Sequence, residues 1–329
     1  MDTLDKKLLI VIDNNKFIGL LSVGDIQRAI IMNWPLDKTI SHILRKNFRV
    51  ARPEDSFITI KKMMLEFRME LFPVVNNDNE IVGIYFWEDL FQEKKSLPTK
   101  SFKIPVVIMA GGLGTRLKPL TNVLPKPLIP IGEKTILEDI FESFSVYGCD
   151  NFFVSVNYKA ELIKFYIDNQ KLPFTVDFFT ENKPMGTAGS LSLLKGKINQ
   201  TFFVSNCDIL IKQDYSEILQ YHKEHNNEIT VVAALKHIPI AYGTIETGDN
   251  GKLISLIEKP EVTYKINSGM YILEPHLIEE IPVDEFFNLT ELIEKVNLRG
   301  GNVGVFPVSE KSWRDIGNWD EYLKVIENV

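Results

Sequence analysis

Residues 106–132, VVIMAGGLGTRLKPLTNVLPKPLIPIG, constrain this chain more than any other segment. An apolar, strand-like run, Val106–Met109, passes through Ala110 into Gly111-Gly112-Leu113-Gly114-Thr115-Arg116. Three glycines let the backbone approach a bulky anion and turn its N–H groups toward it. Arg116, and Lys126 set between Pro125 and Pro127, then add the fixed positive charge that a polyphosphate needs. Downstream of Ile104 the pattern is strand, loop, helix, repeated. Strands are expected at Val106–Met109, Phe152–Val156, Phe174–Phe179, Phe202–Ser205 and Ile229–Ala234. Helices are expected at Ile136–Tyr147, Ala160–Asn169, Ala188–Leu194 and Tyr215–Glu224. Apolar runs alternating with amphipathic helices imply an α/β fold with a mostly parallel sheet covered on both faces. Ligands of such folds gather at the C-terminal strand ends, where the glycine loop lies.

Two familiar phosphate motifs are excluded. No Lys-Ser or Lys-Thr follows the glycines where a P-loop requires it. The dinucleotide fingerprint fails as well, because Leu117 stands where its third glycine belongs. What remains, GGxGTRLxPLT…PKPLIPIG, resembles the signature of the sugar-1-phosphate nucleotidyltransferases. That resemblance implies a Rossmann-like, GT-A-like catalytic domain over residues 105–329. It gives Arg116 and Lys126 contacts to the phosphates around the reacting phosphorus. It also places Ala110, Gly111, Gly112, Gly114 and Thr115 against the nucleotide.

Separated segments agree with the opening motif. Asp208 follows the apolar strand Phe202–Ser205, and Trp313-Arg314-Asp315-Ile316-Gly317 carries a second carboxylate near the end of the domain. Both match the family's metal positions, which implies Mg²⁺, an ion whose remaining ligands are waters and phosphates. Taken singly, Asp208 reads better as a helix cap and Asp315 as a turn residue; with Gly111–Lys126 present, the metal reading prevails. Gly186-Thr187-Ala188, inside ENKPMGTAGSL, falls where the family contacts base and ribose; the bland alternative is a loop opening a helix. Gly243, Glu258 and Lys259 resemble sugar-phosphate contacts, and so does Asn267, against the alternatives of a solvated turn and a simple chain reversal.

The first hundred residues are organised differently. LIVIDNNKFIGLLSVGDIQRAII and FPVVNNDNEIVGIYFWEDLFQE each read as strand, Asn/Asp turn, strand entered through glycine, then helix. Gly19 matches Gly83 and Asp25 matches Asp89; Ile40–Leu44 and a helical stretch, Phe57–Phe67, precede the second copy. This order resembles a small α+β CBS region over residues 1–93. Its first module is expected to be truncated and its second complete, with a lysine-rich linker at 94–104. Ser22-Val23-Gly24-Asp25 fits a ribose-holding Ser-x-x-Asp pattern, which would let the region bind a nucleotide, and it fits a helix cap better. In the second copy Phe86-Trp87-Glu88-Asp89 puts an aromatic where the hydroxyl belongs.

Length 329 suggests two domains, and a net charge of −7 argues against general nucleic-acid binding. Cys149 and Cys207 lack metal spacing and read as reduced, buried thiols. The charged start MDTLDKK and the absence of any bilayer-length apolar run point to a cytoplasmic protein that does not enter a membrane. Five histidines offer no Ser/His or Cys/His nucleophile constellation, which suits a reaction needing no protein nucleophile. The resemblance implies transfer of a nucleotidyl group to a sugar 1-phosphate by a homo-oligomer. GTAGSL with an attached CBS region looks most like mannose-1-phosphate guanylyltransferase-like enzymes. It is also similar to the glucosamine-1-phosphate guanylyltransferases of legionaminic acid synthesis in bacterial surface glycans. That favours GTP, with dTTP, UTP and CTP as the other donors. The competing reading is a non-catalytic nucleotide or sugar-phosphate sensor of the same fold. Arg116, Lys126, Asp208, Lys259 and Asp315 together speak against it.

Overall fold

A computed structural model describes residues 8–35, 39–44, 48–67, 69, 71–86 and 101–326. The chain divides into two compact units, Met1–Pro98 and Thr99–Val329. Residues 1–7, Trp87–Asp89 with the second copy's final helix, and 94–100 of the expected linker lie outside the described residues.

In the first unit β1 (Leu8–Asp13) and β2 (Lys16–Ser22) form a hairpin followed by the helix Val23–Ile31. The helix Phe57–Phe67 leads into the hairpin of β3 (Leu71–Val75) and β4 (Ile81–Phe86). The repeat extends to the register of the ladders. Gly19 faces Val11 and Gly83 faces Val74, and in both hairpins the register shifts immediately after that pair. Phe17, Leu20, Leu71 and Val75 bury one apolar cluster, while Ala51, Ile60, Met64, Phe72 and Val74 bury another. Ser22 and Asp25 form a reciprocal capping box: the Asp25 amide donates to the Ser22 hydroxyl at 3.2 Å, and the Ser22 amide donates to the Asp25 carboxylate at 2.7 Å. The capping reading therefore describes these two residues, and Arg28 pairs with Asp25 as well. Ile40–Leu44 holds only a short 3-10 turn, Ile40–His42.

In the second unit the strands are β5 (Val106–Met109), the short β6 (Pro130–Ile131) and β7 (Lys134–Thr135), β8 (Asn151–Val156), β9 (Thr175–Thr180), β10 (Phe202–Asn206), β11 (Ile209–Ile211), β12 (Ile229–Pro239), β13 (Thr244–Thr247), β14 (Leu253–Ile257), β15 (Glu261–Leu273), β16 (Val303–Val308) and β17 (Trp313–Asp315). Seven of them form the central sheet in the order β16-β12-β15-β10-β5-β8-β9. Every neighbouring pair is parallel except those made by β15, which runs antiparallel to both β10 and β12.

Both faces of this sheet are covered, which is why its strands read as continuous apolar runs rather than alternating ones. On one face the helix Ile136–Ser145 starts with a Thr135/Glu138 capping box and buries Ile136, Leu137, Ile140, Phe141 and Phe144. Phe141 and Phe144 meet Phe152 and Phe203 edge-on, and truncating such a core aromatic costs about 3–5 kcal/mol. On the other face Leu191, Leu194, Phe202, Leu273 and Leu292 form a second layer.

Two expectations are corrected. The helix expected at Ala188–Leu194 is one α-helical turn, Gly186–Gly189, followed by a 3-10 turn, Ser190–Leu194. Gly189, Ser190 and Ser192 are weak helix formers, and the Ser192 hydroxyl takes the Gly189 carbonyl at 2.7 Å, diverting an acceptor. The strand expected to end at Ala234 continues to Pro239, because residues 235–239 go on pairing with 261–265 of β15 beyond the sheet. The helices Ala160–Asp168 and Tyr215–Glu224 lie where the periodicity predicts them.

Candidate active site

β5 and β10 are parallel neighbours, with Met109 opposite Asn206, so the glycine loop and Asp208 leave the sheet side by side. Gly114 turns that loop at φ +63°, where a Cβ would stand 2.8 Å from a Thr121 methyl. The Thr121 hydroxyl holds the turn by donating to the Gly114 carbonyl at 2.9 Å. The chain then brings in Lys126, whose buried ammonium donates to Asp208 Oδ2. Arg116 Nη2 lies 3.9 Å from the same oxygen, its side chain largely open to solvent.

Asp315 arrives from the far end of the sequence. β17 pairs with β11, setting Asp315 opposite Ile209, and the Ile316 amide donates to the Asp208 carbonyl at 2.8 Å. Gly317 closes the group. A Cβ placed there would sit 2.6 Å from Asp315 Oδ1, 2.8 Å from Asp208 Oδ2 and 3.0 Å from Arg116 Nη2. The two carboxylate oxygens therefore lie within about 5.4 Å of each other. Burial, and then the Asp208 charge, hold the Asp315 carboxyl above the usual aspartate range; the Gly317 amide, Lys126 and Arg116 pull the other way. Arg116, Lys126, Asp208 and Asp315 thus meet at one point, at the mouth of the glycine loop.

Glu181 connects that loop to the next segment. It is 7% exposed, accepts from the Ser155 hydroxyl, and its Oε1 would lie 2.7 Å from a Cβ on Gly111. Its other oxygen accepts from the Met185 amide at 3.3 Å, one residue before Gly186-Thr187-Ala188. That turn is anchored from behind: the Ala188 amide donates to the Phe287 carbonyl at 3.0 Å, and the Leu289 amide to the Thr187 hydroxyl at 2.9 Å. The residue names alone single out neither Glu181 nor Gly317. The available signals were a lone acid opening ENKPMGTAGSL and a glycine two residues after Asp315.

Asn267 sits on β15. Its side chain accepts from the Gly269 amide at 3.1 Å, and the neighbouring Ser268 carbonyl accepts from the Trp313 indole at 3.1 Å. Gly243, Glu258 and Lys259 are placed elsewhere. They are exposed, at the kink where β13 and β14 continue the β12–β15 ribbon, and Glu258 Oε2 lies 2.9 Å from where a Gly243 Cβ would be. No contact joins these three to Asp208 or Asp315 among the described residues. Both cysteines are buried, and burial pushes each thiol up to about 12, so Cys207 beside Asp208 is an inert core residue. No helix of the described residues is long and apolar enough to cross a membrane.

Residues 105–329 match the family described as nucleotidyl transferase, and residues 40–95 match the CBS domain. The chain is 36% identical over 184 residues to the mannose-1-phosphate guanylyltransferase catalytic subunit beta of Drosophila pseudoobscura pseudoobscura, covering 54% of this chain and 50% of that protein. It is 27% identical over 227 residues to the mannose-1-phosphate guanylyltransferase of Mycobacterium tuberculosis, covering 68% of this chain and 63% of that one. It therefore spans about half to three fifths of these relatives' length. Among solved structures, HddC from Yersinia pseudotuberculosis aligns with a TM-score of 0.54 and 30% identity, over 68% of this chain and 99% of HddC. A second HddC structure, complexed with GMP-PN, aligns with the same TM-score of 0.54.

Proposed function

The chain belongs to the nucleotidyl transferase family, and on that premise we propose that it joins a nucleoside triphosphate to a sugar 1-phosphate with release of pyrophosphate. The observation that carries the reading is the meeting of Arg116, Lys126, Asp208 and Asp315 beside a glycine loop. A sugar-phosphate oxygen attacks the α-phosphorus, a new P–O bond forms, and the bond to the β-phosphate breaks. Like charges about 4 Å apart repel by roughly 4 kcal/mol at an intermediate dielectric. The residues required are therefore cations and positioning groups rather than a nucleophile. Lys126 holds the reacting phosphates from a buried position, and Arg116, reaching in from solvent, stabilises charge on the leaving group. The donor set suits Mg²⁺, since two hard carboxylates lie close together, and burial and then the Asp208 charge hold the Asp315 carboxyl above its usual range. Asp208 and Asp315 would hold that ion, which when bound supplies neutralising charge to the phosphates.

Glu181 favours guanine as the base. A carboxylate only accepts hydrogen bonds, and the guanine N1–H and N2–H₂ edge presents two adjacent donors to it. Uracil and thymine offer one N–H between two carbonyl oxygens, and cytosine presents an acceptor there. GTP as donor agrees with the names of the curated relatives and with the GMP-PN complex of HddC. On the sequence resemblance, we propose bacterial surface-glycan or nonulosonic acid synthesis as the setting of the reaction.

The test is pyrophosphate release with Mg²⁺ from GTP, dTTP, UTP and CTP, each crossed with mannose, glucosamine and glucose 1-phosphates. We expect turnover with GTP, lost on chelation of the metal. A charge-assisted contact contributes about 1.5–3 kcal/mol, so Lys126→Met should lower turnover at least tenfold. Folded protein that binds nucleotide but releases no pyrophosphate with any pair would overturn the reading in favour of a sensor.

A further inference from the structure

Residues 235–265 leave the central sheet as an arm, and the end of that arm is unusually apolar for an exposed element. β13 and β14 pair only with each other among the described residues, so β14 presents an edge of unpaired backbone groups. The register sets Ile245 opposite Leu256 and shifts at Ile254, which has no opposite number on β13; these three are 64%, 60% and 63% exposed. Leu253 and Ile257 of β14 are also more than half exposed. An apolar edge strand with unpaired backbone groups is a template for pairing with another strand.

The sequence of that edge specifies its partner. Lys252-Leu253-Ile254-Ser255-Leu256-Ile257-Glu258, read backwards, exchanges leucine with isoleucine and lysine with glutamate about a central serine. Antiparallel pairing with a second copy, on a two-fold axis through Ser255, matches every position. Leu253 faces Ile257, Ile254 faces Leu256, Ser255 faces Ser255, and Lys252 faces Glu258, each unlike pair occurring twice. A slip by one residue would set Leu253 against Glu258 in one direction, or Lys252 against Ile257 in the other. Both the apolar pattern and the charges therefore select a single register.

We propose that β14 is a docking edge for a second copy of this chain, the two arms joining as a four-stranded antiparallel sheet. Such self-complementary contact of one patch with itself is what a closed two-fold dimer requires. A two-stranded hairpin is marginal in water, and four strands with an apolar face are not. The pairing also ties Glu258 to Lys252 of the other copy, so the kink carrying Gly243, Glu258 and Lys259 is fixed by two subunits. That last consequence rests on the proposed reaction; the pairing itself does not.

The test uses the full chain in sedimentation equilibrium and oxidative cross-linking. The mass should be twice 37.7 kDa. Lys252→Glu replaces attraction by repulsion at two symmetric places and should raise the dimer dissociation constant about tenfold. Lys252→Glu combined with Glu258→Lys should restore it. Ser255→Cys should cross-link two chains on oxidation, since residues directly opposed on antiparallel strands fall within disulfide reach. Thr247→Cys, at the far end of β13, should not, and the buried Cys149 and Cys207 supply no background. A chain that stays monomeric overturns the proposal, and so does a dimer in which Ser255→Cys forms no cross-link. Absence of pyrophosphate release from an intact cross-linked dimer would count against the reaction and leave the pairing standing.

Discussion

Gly317→Ala is the sharpest perturbation of the site, because one methyl group would meet three of its members. Ordinary Cβ contacts begin at about 3.4 Å, whereas here Asp315 Oδ1 stands at 2.6 Å and Asp208 Oδ2 at 2.8 Å. The two carboxylates would have to retreat by about 0.8 and 0.6 Å respectively. Arg116 can swing aside at little cost, since its side chain is largely exposed. The aspartates cannot, being short, partly buried and held by Lys126 and by the Gly317 amide at 2.7 Å. A misplacement of about 1 Å in a positioned group can cost about 100-fold in rate, so turnover should fall about that far. Stability should fall by about 1–3 kcal/mol at most, the usual cost of overpacking, which leaves the protein folded. Gly317 does not adopt a left-handed φ, so alanine fits its backbone, and the lost freedom of the unfolded chain contributes about 0.4–1 kcal/mol in compensation. The assay pairs steady-state pyrophosphate release with a thermal melt of the same preparation. Turnover within threefold of wild type, with the protein folded, would refute the reasoning that makes the placement of these two carboxylates rate-determining.

Two further outcomes are expected. Glu181→Gln keeps the shape of the side chain but presents one acceptor and one donor, so kcat/KM for GTP should fall at least tenfold relative to UTP; an unchanged GTP preference would remove Glu181 from base recognition. Stability should weaken with acid in two stages. Burial holds His222 below the usual imidazole range between Thr230 and Glu274, so the unfolded chain binds its proton first and stability drops as pH falls below about 6.5. Glu228 is held down to about 2 by Arg299 and then His276, and its contribution, complete above about 4.5, disappears as pH falls through that range. Melting curves from pH 8 to 3 on wild type, His222→Asn and Glu228→Gln should show each stage reduced in its own variant, and parallel curves would refute both assignments.

Much of the fold was legible because its signals are local. β5, β8 and β10 are largely apolar runs flanked by turn formers, and buried parallel strands can hardly read otherwise. The capping choice at Ser22 and Asp25 was legible for the same reason, as a box spanning four residues. The continuation of β12 past Ala234 was not, because what extends it is β15, whose residues lie some thirty positions downstream. In the candidate site, Arg116 and Lys126 stand out by residue type beside a glycine loop, whereas Asp208 and Asp315, which singly read as a cap and a turn, are named only through the family resemblance. Gly317 and Glu181 could not be singled out. Their roles come from what they lie against, and a glycine beside two carboxylates looks in sequence like any other glycine.

β15 has a consequence for how firmness is distributed through the molecule. Its last three residues pair on both sides inside the central sheet, while its first five belong to a two-stranded ribbon with no third strand against it among the described residues. Local opening free energies follow such bracing, from the global value in a sheet interior to near zero in an unsupported ribbon. One uninterrupted strand therefore runs from the most tightly held part of the protein to one of its loosest, with Asn267 between the two. The arm can stiffen or relax without any change in the packing of the sheet, and the residues at its kink inherit whichever state it is in.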